Sequence, residues 1–340
     1  MRRLSVIGVG AALAIAACTG STATEPAEPE VLLAFDADVQ PGQIVGLIAF
    51  DDGDGTRYAS WLDRLNGTFN ELDIDDPDAT PEIIGFIDPA LDGEQHGLLG
   101  QAIIDNGPRV AAWTDFGDDL DDDIMMVVAT VTFNGPDEPA NRQVLFRIDS
   151  VGGGAIGGVV QEFDGDVLFG VGRNTGFDAE TDTGGALVRL DLDGGPDQPG
   201  EILSVGYTNP WAFTVTAAGE VWFADNAAGP DPDDDSRDDV ERIGRGDVID
   251  DRNDVPRITE PGRAPSSMIE LPDGRIGICG FLDTALRAYE IVDTEAGERT
   301  GLERAGTIMP CLVSAAVFDD GTIITIAGGE TGQTLQILRR

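Results

Sequence analysis

Short apolar runs separated by tight, glycine-bearing turns recur along most of this chain. Six times an apolar run meets such a turn and a second apolar run leaves it: QIVGLIAFDDGDG with TRYASWLD, GLLGQAIIDNG with PRVAAWTD, GGVVQEFDG with DVLFGVGRN, NPWAFTVTAAG with EVWFADN, APSSMIELPDG with RIGICGFLD, and CLVSAAVFDDG with TIITIAGG. Asp-Gly and Asn-Gly between apolar runs supply the backbone freedom that tight turns need, so each pair predicts a β-hairpin. The turn glycines are Gly55, Gly107, Gly165, Gly219, Gly274 and Gly321, at intervals of 47 to 58 residues. A further apolar run follows most hairpins as a third strand: GTFNELDI, VLFRIDS, GALVRLDLD, ALRAYEIV and QTLQIL. A repeat of about 50 residues with three or four strands per unit is the pattern of a propeller blade. The chain therefore reads as all-β, a six-bladed β-propeller with three to four antiparallel strands per blade, over residues 31–340. A generic β-sandwich does not explain a period kept six times.

This architecture selects the residues that can carry function. The first strand of a blade lines the axis and the second returns antiparallel to it. The start of strand one and the end of strand two then share one face around the channel mouth, and loops there are the default place for a binding site. Blade one brings Trp61, Asp63 and Arg64 to that face, and blade two brings Gln95, His96 and Asp115. Blade three brings Ala155, Ile156, Arg173 and Asn174; blade four brings Tyr207, Thr208, Asn209, Asp225 and Asn226. The last two blades add Pro265, Ser266, Cys279, Met309 and Cys311.

Ahead of the repeats lies a different kind of segment. Arg2 and Arg3 precede an apolar run from Leu4 to Ala17, too short to span a bilayer and of the right length for a secretory signal. Its end, Ile15-Ala16-Ala17-Cys18, resembles the bacterial lipobox, in which the Cys receives lipid. The resemblance implies a signal peptide over 1–17, lipidation at Cys18, a flexible Ser/Thr/Pro/Ala/Glu tether over 18–30, and no other contact with the membrane. An ordinary signal peptide with an incidental Cys is the alternative. The expected location is the bacterial cell envelope, on the periplasmic side of the outer membrane or at the cell surface.

Composition narrows the function classes. The chain carries 21 Lys and Arg against 63 Asp and Glu, a formal charge of −42 with one His and three Cys. A phosphate-tracking surface needs clustered cations, so no nucleic-acid partner is expected. Zinc fingers and His-rich metal sites are excluded by the same counts. At 41% hydrophobic residues the chain is too apolar to be a disordered acidic polymer. Cys279 and Cys311 remain as an even pair in an oxidising compartment, which predicts a disulfide joining blades five and six at the mouth.

Several stretches, in chain order from about Gln43 onward, are similar to the glucose/sorbosone dehydrogenase family of six-bladed propellers. Glu94-Gln95-His96-Gly97-Leu98-Leu99-Gly100 resembles its Gln-x-Gly-Leu-Leu-Gly, and Gly206-Tyr207-Thr208-Asn209-Pro210 its Gly-His-Arg-Asn-Pro. Asn226 with Gly229-Pro230, then Asp238-Asp239-Val240-Glu241, resemble His-Gly-Pro and Asp-Glu-Ile-Asn; Ala264-Pro265-Ser266-Ser267-Met268 resembles Ala-Pro-Ser-Gly-Met. The resemblance implies pyrroloquinoline quinone and calcium as cofactors and oxidation of sugars as the activity. Ala155-Ile156-Gly157-Gly158 stands where the family has the His of His-x-Gly-Gly as general base. Thr208 replaces the cofactor-contacting Arg, and Met309-Pro310-Cys311 replaces an Arg-rich stretch. A trianionic quinone finds little electrostatic support in such a chain. His96, beside Gln95 at the family's sugar-contacting position, is the candidate displaced base.

The calcium part of the resemblance falls on Gly229 and Pro230, whose family counterparts hold the ion through carbonyls, with Asp238, Asp239 and Glu241 close by. Hard oxygen ligands in this density suit Ca²⁺, and a solvated acidic loop is the alternative. The preferred reading is a lipid-anchored, catalytically degenerate propeller that binds a small molecule or a protein at its mouth. An active quinone-dependent aldose dehydrogenase is one alternative. The other is a metal-dependent lactonase resembling regucalcin, for which Asn209 and Asp225 supply two of three ligands. The leader yields one prediction: Cys18→Ala abolishes lipid attachment, so the variant partitions into the aqueous phase of a detergent phase separation while the parent chain enters the detergent phase.

Overall fold

The computed structural model describes residues 28–36, 38–92, 95–116, 124–149, 156–173, 185–227, 240–246, 258–261, 263–293, 299–329 and 332–339. Among these, 24 strands form six four-stranded antiparallel sheets, the six blades of a propeller. The first strand, β1 (Glu30–Ala34), does not open the first blade. Blade one is β2 (Ile44–Asp51), β3 (Arg57–Asp63), β4 (Thr68–Asp73) and β5 (Glu82–Phe86). Blade two is β6 (Leu98–Ile103), β7 (Arg109–Phe116), β8 (Ile124–Thr132) and β9 (Asn141–Ile148). Blade three is β10 (Gly157–Phe163), β11 (Asp166–Val171), β12 (Gly185–Leu190) and β13 (Glu201–Tyr207). Blade four follows as β14 (Ala212–Val215), β15 (Val221–Ala227), β16 (Val240–Arg245) and β17 (Ile258–Pro261). Blade five is β18 (Pro265–Glu270), β19 (Ile276–Gly280), β20 (Ala285–Asp293) and β21 (Arg299–Pro310). Blade six is β22 (Ser314–Val317), β23 (Ile323–Gly329) and β24 (Gly332–Leu338), completed by β1, which pairs antiparallel with β24.

All six expected hairpins are present, and turn chemistry explains them. Gly55, Gly165, Gly219, Gly274 and Gly321 adopt φ between 76° and 87°. In blade two the left-handed positions are taken by Asp105 and Asn106, at φ of 48° and 53°, and Gly107 donates its N–H to Ile104 O at 2.7 Å. Asp and Asn tolerate this region better than other side chains do. One expected strand changes place: VLFRIDS is the outer strand β9, and the third strand of blade two is β8. The acidic run before Ile124 hides the apolar start of β8 from a reading of hydrophobic runs.

Successive residues of a strand face opposite sides of its sheet, and here both sides are buried. In β7, Val110 and Ala112 pack in the cluster shared with blade three, whereas Ala111 and Trp113 pack in the cluster shared with blade one. In β15, Trp222 and Ala224 face blade five while Val221 and Phe223 face blade three. Six apolar clusters result, one for each junction between neighbouring blades. The junction of blades six and one contains Leu32 and Leu33 of β1 packed on Trp61, Ile326 and Leu335.

The seam where the ring closes is also pinned electrostatically. Arg57 of blade one forms ion pairs with Asp75 of its own blade and with Asp320 of blade six, the latter at 2.6 Å. The hydrogen bond from Arg57 holds the Asp75 carboxyl below the usual carboxylate range. A carboxylate with a depressed folded-state pKa stabilises above its unfolded pKa of about 4, and that contribution fades as pH falls through the folded value. Arg57→Gln therefore lowers the unfolding free energy at pH 7 by no more than about 1 kcal/mol, since both carboxylates are solvent-screened. Parent and variant curves converge as the pH is taken below about 4, which urea titrations at pH 7, 5 and 3 read directly.

Candidate functional site

Around the axis the inner strands approach so closely that side chains must be absent at some positions. A Cβ on Gly100 of β6 would lie 2.6 Å from Gly158 O of β10. Bulges between Val45 and Ile48, Leu98 and Gly100, Gly157 and Val160, and Pro265 and Ser267 bend four inner strands near their mouth ends. Bulges re-aim side chains and open space. The space is a cavity of about 350 Å³ at the mouth, lined by residues that include Arg64, Gln95, Asn209, Trp211, Ser266 and Phe281. Val45, Trp211, Ser266 and Val313 also line an axial channel of about 240 Å³, so the cavity opens onto the axis.

The connector before β14 shows how the wall is built. Asp225, 1% exposed near the end of β15, accepts the Thr208 N–H at 3.0 Å and the Asn209 N–H at 2.8 Å. Its carboxylate thus caps the turn by satisfying both backbone donors. Asn209 is aimed by that turn: its Oδ1 accepts the Gly157 N–H at 3.1 Å, from the next inner strand. Gln95 repeats the device one junction earlier, its Oε1 accepting the Ile156 N–H at 3.2 Å and a longer contact from Asn209 Nδ2 at 3.5 Å. Both amide oxygens accept protein N–H groups, which sets the amide orientations; Gln95 Nε2 remains a donor and Asn209 Oδ1 keeps a second lone pair. Ser266 Oγ donates to Leu312 O at 2.9 Å, which leaves it an acceptor.

On the far side of the cavity, Ala264 adopts a φ of 50°, rare for a residue with a side chain. Its carbonyl accepts the Phe281 N–H at 2.9 Å, so the β19–β20 turn is tied to the start of β18 and Phe281 is held on the wall. Arg64, in the β3–β4 turn, reaches His96 O at 3.5 Å. Burial lowers its pKa and the charge of Asp63 opposes that shift. Among the described lining residues Arg64 is the one ionisable side chain.

Several expected mouth residues are placed elsewhere. His96, neighbour of Gln95, is 2% exposed and is not on the cavity wall, so the candidate displaced base is buried in the connector. Tyr207 faces inward as well: its hydroxyl pairs with Ser204 Oγ at 2.7 Å and its ring meets Phe223 edge-on. Asp115 is engaged by Arg142 at 2.8 Å and by the Trp113 indole, contacts of blade two alone. Arg173 is exposed, its backbone N–H bonded to Thr208 O. Asp225 is buried and organises the turn through its oxygens. Cys279 and Cys311 form the expected disulfide, with Cα atoms 5.4 Å apart and both residues buried. It closes a separation of 32 residues, worth roughly 3–4 kcal/mol in the chain-entropy picture.

Cys18, Asn174, Gly229, Pro230, Asp238 and Asp239 lie outside the described residues. Asn226 and Glu241 sit opposite each other in the β15–β16 ladder, their side chains outside the description. Among the described residues no group of three or more His, Cys, Asp or Glu side chains converges as a metal site would. Trp211 and Phe281 escape a reading of the sequence because each looks like one more apolar strand position. The signal that could have found Trp211 is its place two residues after Asn209, at the axial start of β14.

No family model matches the chain, and no curated protein matches it significantly. Solved structures do. The fold is similar to that of a glucose dehydrogenase, with a TM-score of 0.64 and 17% identity over 89% of this chain and 98% of that one. It is similar to the PQQ-bound form of an aldose sugar dehydrogenase from Streptomyces coelicolor, with a TM-score of 0.60 and 16% identity over 92% of this chain and 98% of that one. An α-L-arabinanase from Penicillium chrysogenum complexed with arabinobiose gives 0.59 and 12% identity over 92% and 97%. At such identities the likeness establishes the six-bladed propeller that these proteins share.

Pyrroloquinoline quinone carries three carboxylates, and the described lining offers it one cation, Arg64. These residues do not fit that cofactor. The turn-capping role of Asp225 gives a prediction: Asp225→Asn places an NH₂ against backbone donors that a carboxylate now satisfies. The expected loss is about 1–3 kcal/mol of stability, read by urea denaturation.

Proposed function

We propose that this chain is an exported, lipid-anchored propeller that binds a small polyhydroxylated ligand in its mouth cavity without transforming it. The observation that carries this reading is the lining itself: aromatic Trp211 and Phe281 beside the oriented amides of Gln95 and Asn209. Ligand sites are concave and largely apolar, with a few placed polar groups. A sugar presents an apolar C–H face and a ring of hydroxyls, which such a lining complements. A volume of about 350 Å³ suits one monosaccharide rather than a chain of them. The sugar-active proteins that share the architecture support the same ligand class. Neither a carboxylate nor an imidazole is among the described lining residues, which supports binding over acid–base turnover.

A quinone-dependent aldose dehydrogenase is the second reading, favoured by the PQQ-bound neighbour. Calcium belongs to either reading through the acidic stretch that includes Asp238, Asp239 and Glu241, whose oxygen donors suit that ion. Calorimetry on the full-length chain in detergent, with a panel of aldoses and with and without Ca²⁺ and the quinone, separates them. The expected result is saturable sugar binding that needs no quinone and yields no dye reduction, with Trp211→Ala weakening it roughly tenfold. Quinone-dependent dye reduction would establish the dehydrogenase instead, and a rise in melting temperature with Ca²⁺ alone would locate the metal's role in stability.

A further inference from the structure

Resting on the lipid-anchored reading above, the point at which the chain enters the propeller decides how the mouth is presented. β1 is the outermost strand of blade six, and its two ends lie on opposite faces of the ring. Ala34 stands opposite Thr334 in β24, and the next residue, Phe35, donates its N–H to Gln333 O at 3.0 Å. Gln333 Nε2 in turn donates to Gln40 O at 2.8 Å, beside Pro41 and Gly42 of the cavity lining. That end is at the mouth. Glu30, at the other end, stands opposite Ile337 and pairs with Arg339 at 3.8 Å. Arg339 also reaches Asp75 of the β4–β5 connector at 3.9 Å, and Asp75 shares Arg57 with Asp320 of the β22–β23 hairpin. The chain therefore enters at the face that carries the hairpin turns, away from the mouth.

Cys18 precedes Glu30 by twelve residues, which span at most about 40 Å when fully extended. β24 has seven residues, so the two faces stand about 20 Å apart at this edge. A lipid at Cys18 thus holds the hairpin-turn face toward the bilayer with reach to spare. Bringing the mouth down instead would draw the segment back along the outer edge of blade six, using about half of its reach on an extended path that costs chain entropy. The apolar side chains that such an arrangement could bury are Leu91, Phe116 and Leu282, at least half exposed on the mouth face. They are divided between blades two and five, on opposite sides of a six-membered ring, and make no single patch.

Charge sets the stand-off rather than the direction. Exposed carboxylates such as Asp54, Asp105, Asp164, Asp273 and Asp319 occupy the hairpin turns, and anionic headgroups would repel them. That repulsion decays over about 8 Å at physiological ionic strength, well inside the reach of the segment.

We infer that the propeller stands on its anchoring bilayer with the hairpin-turn face toward the lipid and the mouth opening away from it. The ligand then reaches the cavity from the aqueous phase, so the site serves a water-soluble solute and not a lipid of the anchoring membrane. Access through the mouth stays open in the anchored state. β1, the strand that closes the ring, is also the element that fixes this polarity.

The test uses the full-length lipidated chain in phosphatidylcholine vesicles, with one fluorophore on the protein and a headgroup-labelled lipid as energy-transfer acceptor. Cys279 and Cys311 are buried in their disulfide, so an added surface cysteine takes the label. Asp54→Cys marks the hairpin-turn face and Leu282→Cys marks the mouth, both at exposed positions, and unchanged melting temperatures show that both variants fold. Transfer from position 54 is expected to exceed that from position 282 roughly twofold or more, given a height difference of about 20 Å. Equal transfer from the two positions, or stronger transfer from position 282, would overturn the inference and leave the lipid anchor intact. Failure of the parent chain to float with the vesicles would sink the lipid-anchored reading, and this inference with it.

Discussion

Every blade of this protein is apolar on both faces, and the rest of the structure follows from that constraint. A sheet whose alternate residues are all buried cannot stop at one partner, because its second face would remain in water. Val110 and Ala112 of β7 point one way, Ala111 and Trp113 the other, and each pair needs a neighbouring blade. The solution that leaves no face uncovered is a ring. Closure requires the two ends of the chain to meet, and β1 provides this by pairing with β24 across some three hundred residues of sequence. The Arg57 ion pairs sit at that same junction.

Ring geometry in turn creates the site. Six inner strands converge on the axis, and where two of them come closest a glycine and a bulge appear, as where Gly100 nears Gly158. The residues just outside the crowded zone form the cavity, and they come from connectors of different blades. Their orientation is secured by groups that do not touch the cavity. Asp225 caps the turn that aims Asn209, and Asn209 anchors to Gly157. The Cys279–Cys311 disulfide joins blade five to the connector that carries Leu312 and Val313. Ser266 bonds to Leu312 O from the facing strand. The wall is thus shared between blades: Gln95 and Asn209 accept N–H groups at the start of blade three, and Ser266 donates to the connector ahead of blade six.

The likeness to the solved propellers is one of architecture, at identities of 12 to 17%. Family-like stretches mark the inner strands and their connectors, where packing demands Gly, Pro and small residues whatever the ligand. Gly97-Leu98-Leu99-Gly100 is such a stretch, with Leu98 and Leu99 in two separate blade junctions. The cavity is lined by the positions between them, among which Gln95, Asn209, Trp211 and Arg64 form a polar, partly aromatic wall.

Sequence alone determined the blade count, the six hairpins, the disulfide pair and the face on which the mouth lies, because turn chemistry and apolar periodicity are local. Asp-Gly at a turn acts through its own backbone and needs no distant partner. Tertiary structure alone decided which mouth residues reach the cavity. Gln95 and His96 are adjacent in the chain, yet one lines the wall and the other is buried, because the turn that carries them has no periodicity to read in advance. Tyr207 and Asp225 were absorbed by packing and turn capping, and Trp211 and Phe281, indistinguishable in sequence from core positions, were left at the opening. The closing strand β1 was equally invisible, because its partner lies at the other end of the chain and a pairing over that distance leaves no local mark.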